Sequence, residues 1–291
     1  MSSLGARLLS AATLLTAFGS GSLWASDEHV FVPCFNAIYW QAPPGGLGRR
    51  EWLSHVHAFN TTDEVAVVRR VAVHGPVGTG AFPSGEQHVA PGTGAGMPAI
   101  LGLQPYFNEF EVPPGVVVSA EVEKVYEKWC GNDPGQNPIT AALGQGRVPL
   151  PVYRGLFPAG SVVVTNTIAL GNPRLTPICA AENEKYFRRV NVTLFNGGSE
   201  PGTFRIKVLP LRSSPTPIYE TAVTLAAKEV RQVNRLPIPI VDTPATFELS
   251  GVLVWMVVTC DQPFLGYAST IFDDPEPGAQ PFEVFAFKLG S

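Results

Sequence analysis

What most limits the fold of this chain is how turn-forming residues cut it into short apolar runs. Runs rich in Val, Ile, Thr and Phe at 65–73, 116–125, 161–170, 189–195, 203–209, 218–225 and 251–259 are bounded by Gly, Pro, Asn or Asp. β-Branched and aromatic side chains suit a pleated surface, and Gly and Pro interrupt regular structure, so these runs read as strands. No long segment carries helical periodicity between caps. Strands separated by turns, with no helices between them, predict an all-β chain of sandwiches or barrels. The 29 Gly and 28 Pro among 291 residues match that reading. A hydrophobic fraction of 45% beside 15% charged residues supplies a core. It excludes both an intrinsically disordered chain and a coiled coil.

An internal repeat organises the strands. Residues 52–60 align with Arg188–Asn196, and both segments end in Phe-Asn before a polar turn, 61–64 and 197–200. Further on, 112–118 parallels 225–231, and 162–168 parallels 265–271. This alignment gives the first copy an insertion of about 23 residues within about 74–111, a Gly/Pro-rich stretch expected to form a long loop. The expected organisation is two tandem antiparallel β-sandwich domains, immunoglobulin-like in general architecture. They are 26–172, carrying the insertion, and 173–291, after a signal peptide at 1–25.

The signal-peptide reading rests on order along the chain. Arg7 is the only charge before Asp27, an apolar run follows it, and small residues lead to Ala25. The apolar run is too short to span a bilayer, and the later run at 252–258 has the length of a buried strand. The chain is therefore expected to be secreted, extracellular or periplasmic, without a transmembrane segment. The formal net charge of −4 provides no basic footprint for nucleic acid. An even count of four cysteines in an exported chain suggests disulfides. Of the three pairings, Cys34–Cys130 and Cys179–Cys260 keep each bridge inside one copy.

The residues Tyr186 to Asn196, then Val230-Arg231-Gln232-Val233-Asn234, then Gly266-Tyr267-Ala268-Ser269-Thr270-Ile271-Phe272-Asp273 carry a resemblance. The order resembles a duplicated β-sandwich repeat of secreted bacterial proteins with no settled function. More remotely, Phe59-Asn60-Thr61-Thr62-Asp63 is similar to a turn in sensory rhodopsin transducer-like β-sandwiches. The resemblance implies fold and secretion, since its motif residues are turn and packing residues, and it supplies no active site.

Several constellations are candidates for chemistry. Strand alternation puts Val190, Val192 and Leu194 on one face and Asn191, Thr193 and Phe195 on the other. The repeat then places His55 and His57 on the outward face, where two histidines at i, i+2 can begin a metal site completed by His74 or His88. Asp273, Asp274 and Glu276 form an acidic turn with oxygen ligands suited to calcium. No resident cofactor is called for otherwise. Tyr39 and Trp40, and Tyr106 and Phe107, flank Gly/Pro segments and are the expected ligand contacts, on a sugar ring or a protein partner. Glu109/Glu111 and Glu121/Glu123 are same-strand carboxylate pairs, which do not define a hydrolytic cleft. Asn60-Thr61-Thr62 and Asn191-Val192-Thr193 match a glycosylation pattern. No nucleophile elbow, zinc-protease helix or phosphate loop is present in the sequence. The expectation is a non-enzymatic exported binding protein whose partner is a protein or glycan at the cell surface. The alternatives are a self-assembling structural subunit of an extracellular or envelope assembly, with homo-oligomers, and then a secreted hydrolase.

Overall fold

Alternation along the sequence becomes alternation of burial. In Gly202–Pro210, Phe204, Ile206 and Val208 are buried while Thr203, Arg205 and Lys207 turn outward. A computed structural model describes residues 27–34, 36–41, 48–76, 84–97, 105–130, 139–165, 168–170, 188–210, 216–234, 236, 252–272 and 282–290. Within them the chain is all-β, with no helix, and every strand pair is antiparallel.

The first half holds β1 (Glu28–Cys34), β2 (Asn36–Gln41), β3 (Gly48–Asn60), β4 (Ala66–His74), β5 (Gly85–Val89), β6 (Gly94–Gly96), β7 (Tyr106–Val112), β8 (Val116–Cys130), β9 (Ile139–Pro149) and β10 (Tyr153–Arg154). Sheet I has the order β10-β1-β7-β4-β5, and sheet II the order β2-β3-β8-β9 with β6 also on β3. Val30, Val32, Val68 and Phe110 of sheet I and Trp52, Val56, Val118 and Val122 of sheet II share one buried cluster.

The second half holds β11 (Val162–Thr165), β12 (Ile168–Leu170), β13 (Arg188–Asn196), β14 (Gly202–Pro210), β15 (Tyr219–Leu225), β16 (Val230–Val233), β17 (Val252–Cys260), β18 (Phe264–Phe272) and β19 (Phe282–Leu289). Sheet III runs β15-β14-β17-β11-β19, with β12 also on β17. Sheet IV runs β16-β13-β18-β19. Strand β19 serves both sheets: its first part pairs with β18 and its end with β11. Val163, Phe204, Ile206 and Val258 of sheet III and Val192, Leu194 and Ala268 of sheet IV share a second cluster.

The two halves repeat each other in register. Asn60 lies opposite Val116, and Asn196 opposite Phe264. Phe59 lies opposite Gly94, and Phe195 opposite Val230. Val30 faces Phe110 and Arg154, as Val163 faces Val258 and Leu289. Sheets I and III, and sheets II and IV, are therefore counterparts. The numbering shifts by 136 from β3–β6 to β13–β16, the step from Asn60 to Asn196, and by 148 from β7–β8 to β17–β18, the step from Val116 to Phe264.

Both halves also build the same corner. Asn60 is buried; its Nδ2 donates to the carbonyls of Glu64 (2.7 Å) and Val89 (2.9 Å), and its Oδ1 accepts from the Thr62 amide (2.9 Å). Asn196 is buried likewise; its Nδ2 donates to Glu200 (2.8 Å), Leu225 (3.3 Å) and Ala226 (3.0 Å), and its Oδ1 accepts from the Gly198 amide (3.0 Å). With its amide so engaged, Asn60 is no glycan acceptor, and Asn191 is buried too.

Pairing corrects several expectations. The match of 52–60 to Arg188–Asn196 holds. The match of 112–118 to 225–231 does not, because Leu225 takes the place of Val89. Nor does that of 162–168 to 265–271, because β11 is the counterpart of β1. Segment 74–111 is consequently no inserted loop. It holds β5, β6 and most of β7, and the second half is the longer by twelve residues between β16 and β17. A boundary at 172 fails as well: β11 and β12 pair with β17 and β19, so the crossover between halves lies at 155–161.

Candidate functional site

Sheet II presents one face to solvent. From β3 it carries Leu53, His55, His57 and Phe59, from β8 Val117, Ser119, Glu121 and Glu123, and from β9 Arg147. Phe59 is 47% exposed and Val117, opposite it, 50%. Arg147 bonds Glu121 (2.9 Å) and reaches Glu123 (3.5 Å), and His55 Nε2 lies 3.4 Å from Glu123 Oε2. The rings of His55 and His57 stack with centroids 6.3 Å apart. The face is thus an apolar patch of Phe59 and Val117 continued by histidines into a charged strip.

The counterpart face of sheet IV is covered. Shifting by 136 and 148 converts His55, His57, Phe59, Val117, Ser119 and Glu121 into Asn191, Thr193, Phe195, Leu265, Tyr267 and Ser269, all buried. The outer face of sheet I covers Phe195, Leu265 and Tyr267 among them, through a third cluster of Phe31, Phe107, Tyr153, Phe195, Val230, Leu265 and Tyr267. The Phe107 and Phe195 rings stack at 5.5 Å and 24°, with Phe31 6.1 Å and Tyr267 6.2 Å away from one or the other. Tyr153 donates its hydroxyl to the Gly266 carbonyl (2.6 Å), and the Val230 amide donates to Gly75 (2.9 Å). The layers therefore run II, I, IV, III.

A carboxylate flanked by two histidines borders this contact. Glu109 Oε1 lies 2.7 Å from His29 Nδ1, and Oε2 lies 2.7 Å from His74 Nε2. The His74 ring stacks on Phe195 at 4.5 Å. Burial by itself raises the Glu109 pKa. The hydrogen bonds and charges of His74 and His29 outweigh it and hold the carboxyl below its ordinary value.

The expected site residues separate in the structure. His55 and His57 do share the outward face. His74 does not join them, being on sheet I with Glu109, and His88 lies on β5 opposite Val67. Among the described residues no group of three or more His, Cys, Asp or Glu is placed to hold a metal ion. Asp273, Asp274 and Glu276 lie outside the described residues. Tyr39 and Trp40 fall within β2, opposite Arg50 and Arg49, and their side chains lie outside the described set. Phe107 is no surface contact: it is fully buried at the centre of the contact between the halves, while Tyr106 is half-buried.

Neither expected disulfide forms. Cys34 and Cys260 are free, buried thiols. Asn36 lies across from Leu53 and so from Glu123, and Cys130 is seven residues farther along β8, about 23 Å at ~3.3 Å per residue. The two residues back from Asn36 to Cys34 recover at most about 7 Å, so the two positions are too far apart to bridge. Cys179 lies outside the described residues. Burial pushes the Cys34 thiol up to about 12 and Cys260 up to about 11, so both stay protonated near neutrality.

Phe59, Val117 and Trp255 were missed as candidates. The sequence repeat signals only Phe59, through its match to Phe195; strand pairing, not the sequence, relates Val117 to Leu265 and Trp255 to Phe107.

The sequence matches no protein-family model and no curated protein. Among solved structures, an anti-sigma factor domain-containing protein aligns with 87% of this chain and 98% of its own at 10% identity. The TM-score of 0.12 carries no argument about fold or activity.

Proposed function

We propose that this is an exported, non-enzymatic interaction protein made of two tandem β-sandwich domains, 27–154 and 162–290, immunoglobulin-like in general architecture. It works outside the cell or in the envelope and uses the outer face of sheet II as its contact surface. One observation carries this reading: the face that exposes Phe59 and Val117 is the counterpart of one whose Phe195, Leu265 and Tyr267 are buried against another sheet. A flat patch with aromatic and apolar residues beside a charged strip fits a protein partner better than a small molecule, which needs a concave site. The two clusters, each shared by a pair of sheets, support the tandem sandwiches. The leader-like order of residues at 1–25 supports export, and the first described strand, β1, begins after it at Glu28. The resemblance to duplicated β-sandwich repeats of secreted bacterial proteins belongs to the same reading.

The test is a photo-crosslinking amino acid at position 59 of the full chain, produced in its own host. A protein adduct from position 59, absent from the same probe at exposed Val65, is the expected result. No adduct at 59 contradicts the assignment.

A further inference from the structure

The two external faces of the molecule are the unmated halves of a contact the chain makes once inside itself. Sheet IV sits on sheet I through Phe195 and Leu265 against Phe31 and Phe107. The counterpart of the sheet IV face is the outer face of sheet II, with Phe59 and Val117. The counterpart of the sheet I face is the outer face of sheet III, where Val164 replaces Phe31 and Trp255 replaces Phe107. Trp255 is 37% exposed and Val162, farther along that face opposite Thr259, 48%. Large apolar residues thus remain in solvent where their counterparts inside the chain are covered.

We infer that the protein assembles head to tail, the outer face of sheet II on one chain seating on the outer face of sheet III on a second copy, as sheet IV seats on sheet I. The inference rests on the sheet II face being an interaction surface, and it names the partner.

Charge supports a second copy. Among the described side chains, the sheet II face carries the carboxylates Glu121 and Glu123 beside one guanidinium, Arg147. On sheet III, register puts Arg205, Lys207 and Lys288 on the face of Val164, Trp255 and Val257, with one carboxylate, Glu220, 3.4 Å from Lys207. An acidic strip therefore meets a basic one, which favours this pairing over II on II or III on III. The layer order II, I, IV, III sets the two faces on opposite sides of the molecule. The contact is heterologous, and with its two faces on opposite sides of the molecule addition continues as an open stack.

Light scattering on the purified protein over a concentration series tests this. The weight-average mass should climb through dimer and trimer without a plateau, and added salt should lower it. Phe59→Asp and Trp255→Asp should each abolish the climb while the chain still unfolds cooperatively, because neither side chain belongs to a buried cluster. Val117→Asp provides a second variant on the sheet II face, and Val65→Asp, exposed on neither face, should assemble normally. A monomer at every concentration, or a mass that stops at dimer, overturns the proposal. If the protein stays monomeric while position 59 still crosslinks to a different protein, self-assembly fails and the interaction surface stands. Loss of both signals removes both readings.

Discussion

Asn60 and Asn196 each tie three chain segments together with one side-chain amide. Replacing Asn196 with Ala leaves the carbonyls of Glu200, Leu225 and Ala226 and the Gly198 amide without that partner. Buried polar groups left unpaired cost about 1–3 kcal/mol each, reduced where neighbours relax, so a loss of about 2–4 kcal/mol is expected in urea unfolding. Asn196→Asp should lose nearly as much, because a carboxylate accepts but cannot donate to carbonyls. The sequence showed Phe-Asn before a turn in both copies. It did not show that the amide is buried, because that depends on the strand turn around Leu225 closing over it.

Glu109 contributes to the acid side of the stability curve. Its folded pKa is depressed, so its contribution is complete above the ordinary value of 4.5 and disappears as the pH falls through the lower folded value. The melting temperature should fall on acidification below about 4.5. In Glu109→Gln that acid limb should flatten. An unchanged acid limb in the variant would contradict the assignment. The same-strand pair Glu109/Glu111 was visible in the sequence. Its histidine partners were not, being 80 and 35 residues away.

At the scale of elements, the turn joining β5 to β6 matches the one joining β15 to β16. The Thr93 amide donates to Ala90 (3.2 Å) and the Glu229 amide to Ala226 (3.2 Å). The residue before each donor is left-handed, Gly92 at φ 61° and Lys228 at φ 59°. Nothing lies within 4 Å of a methyl added at Gly92, so Gly92→Ala tests backbone conformation alone. It should cost about 1 kcal/mol by thermal unfolding. Lys228 carries that conformation with its ammonium donating to the Gly197 carbonyl (2.5 Å). Strands with clean alternation, such as β13 and β14, were legible. The alignment of 112–118 was not. A Pro-Gly turn resembles many others, and only pairing shows that Val89 and Leu225 serve the same asparagine corner.

At the scale of the whole molecule, two similar halves stack by unlike faces. Alternation told which side chains leave each core, placing Phe195 opposite Val192 and Leu194. It could not tell which outer face would be covered, because that depends on one half meeting the other. Phe107 therefore read as a surface contact, and Phe59 was passed over although the sequence repeat relates it to Phe195. Phe107→Ala, which empties the centre of the inner contact, should cost about 3–5 kcal/mol. The unmated outer faces are tested most directly by mixing Phe59→Asp chains with Trp255→Asp chains, each keeping one intact face, and weighing the products by sedimentation. Either variant alone should stay monomeric, and the two on mixing should give a one-to-one dimer that grows no further. A mixture that remains monomeric, or either variant dimerising by itself, would contradict head-to-tail assembly.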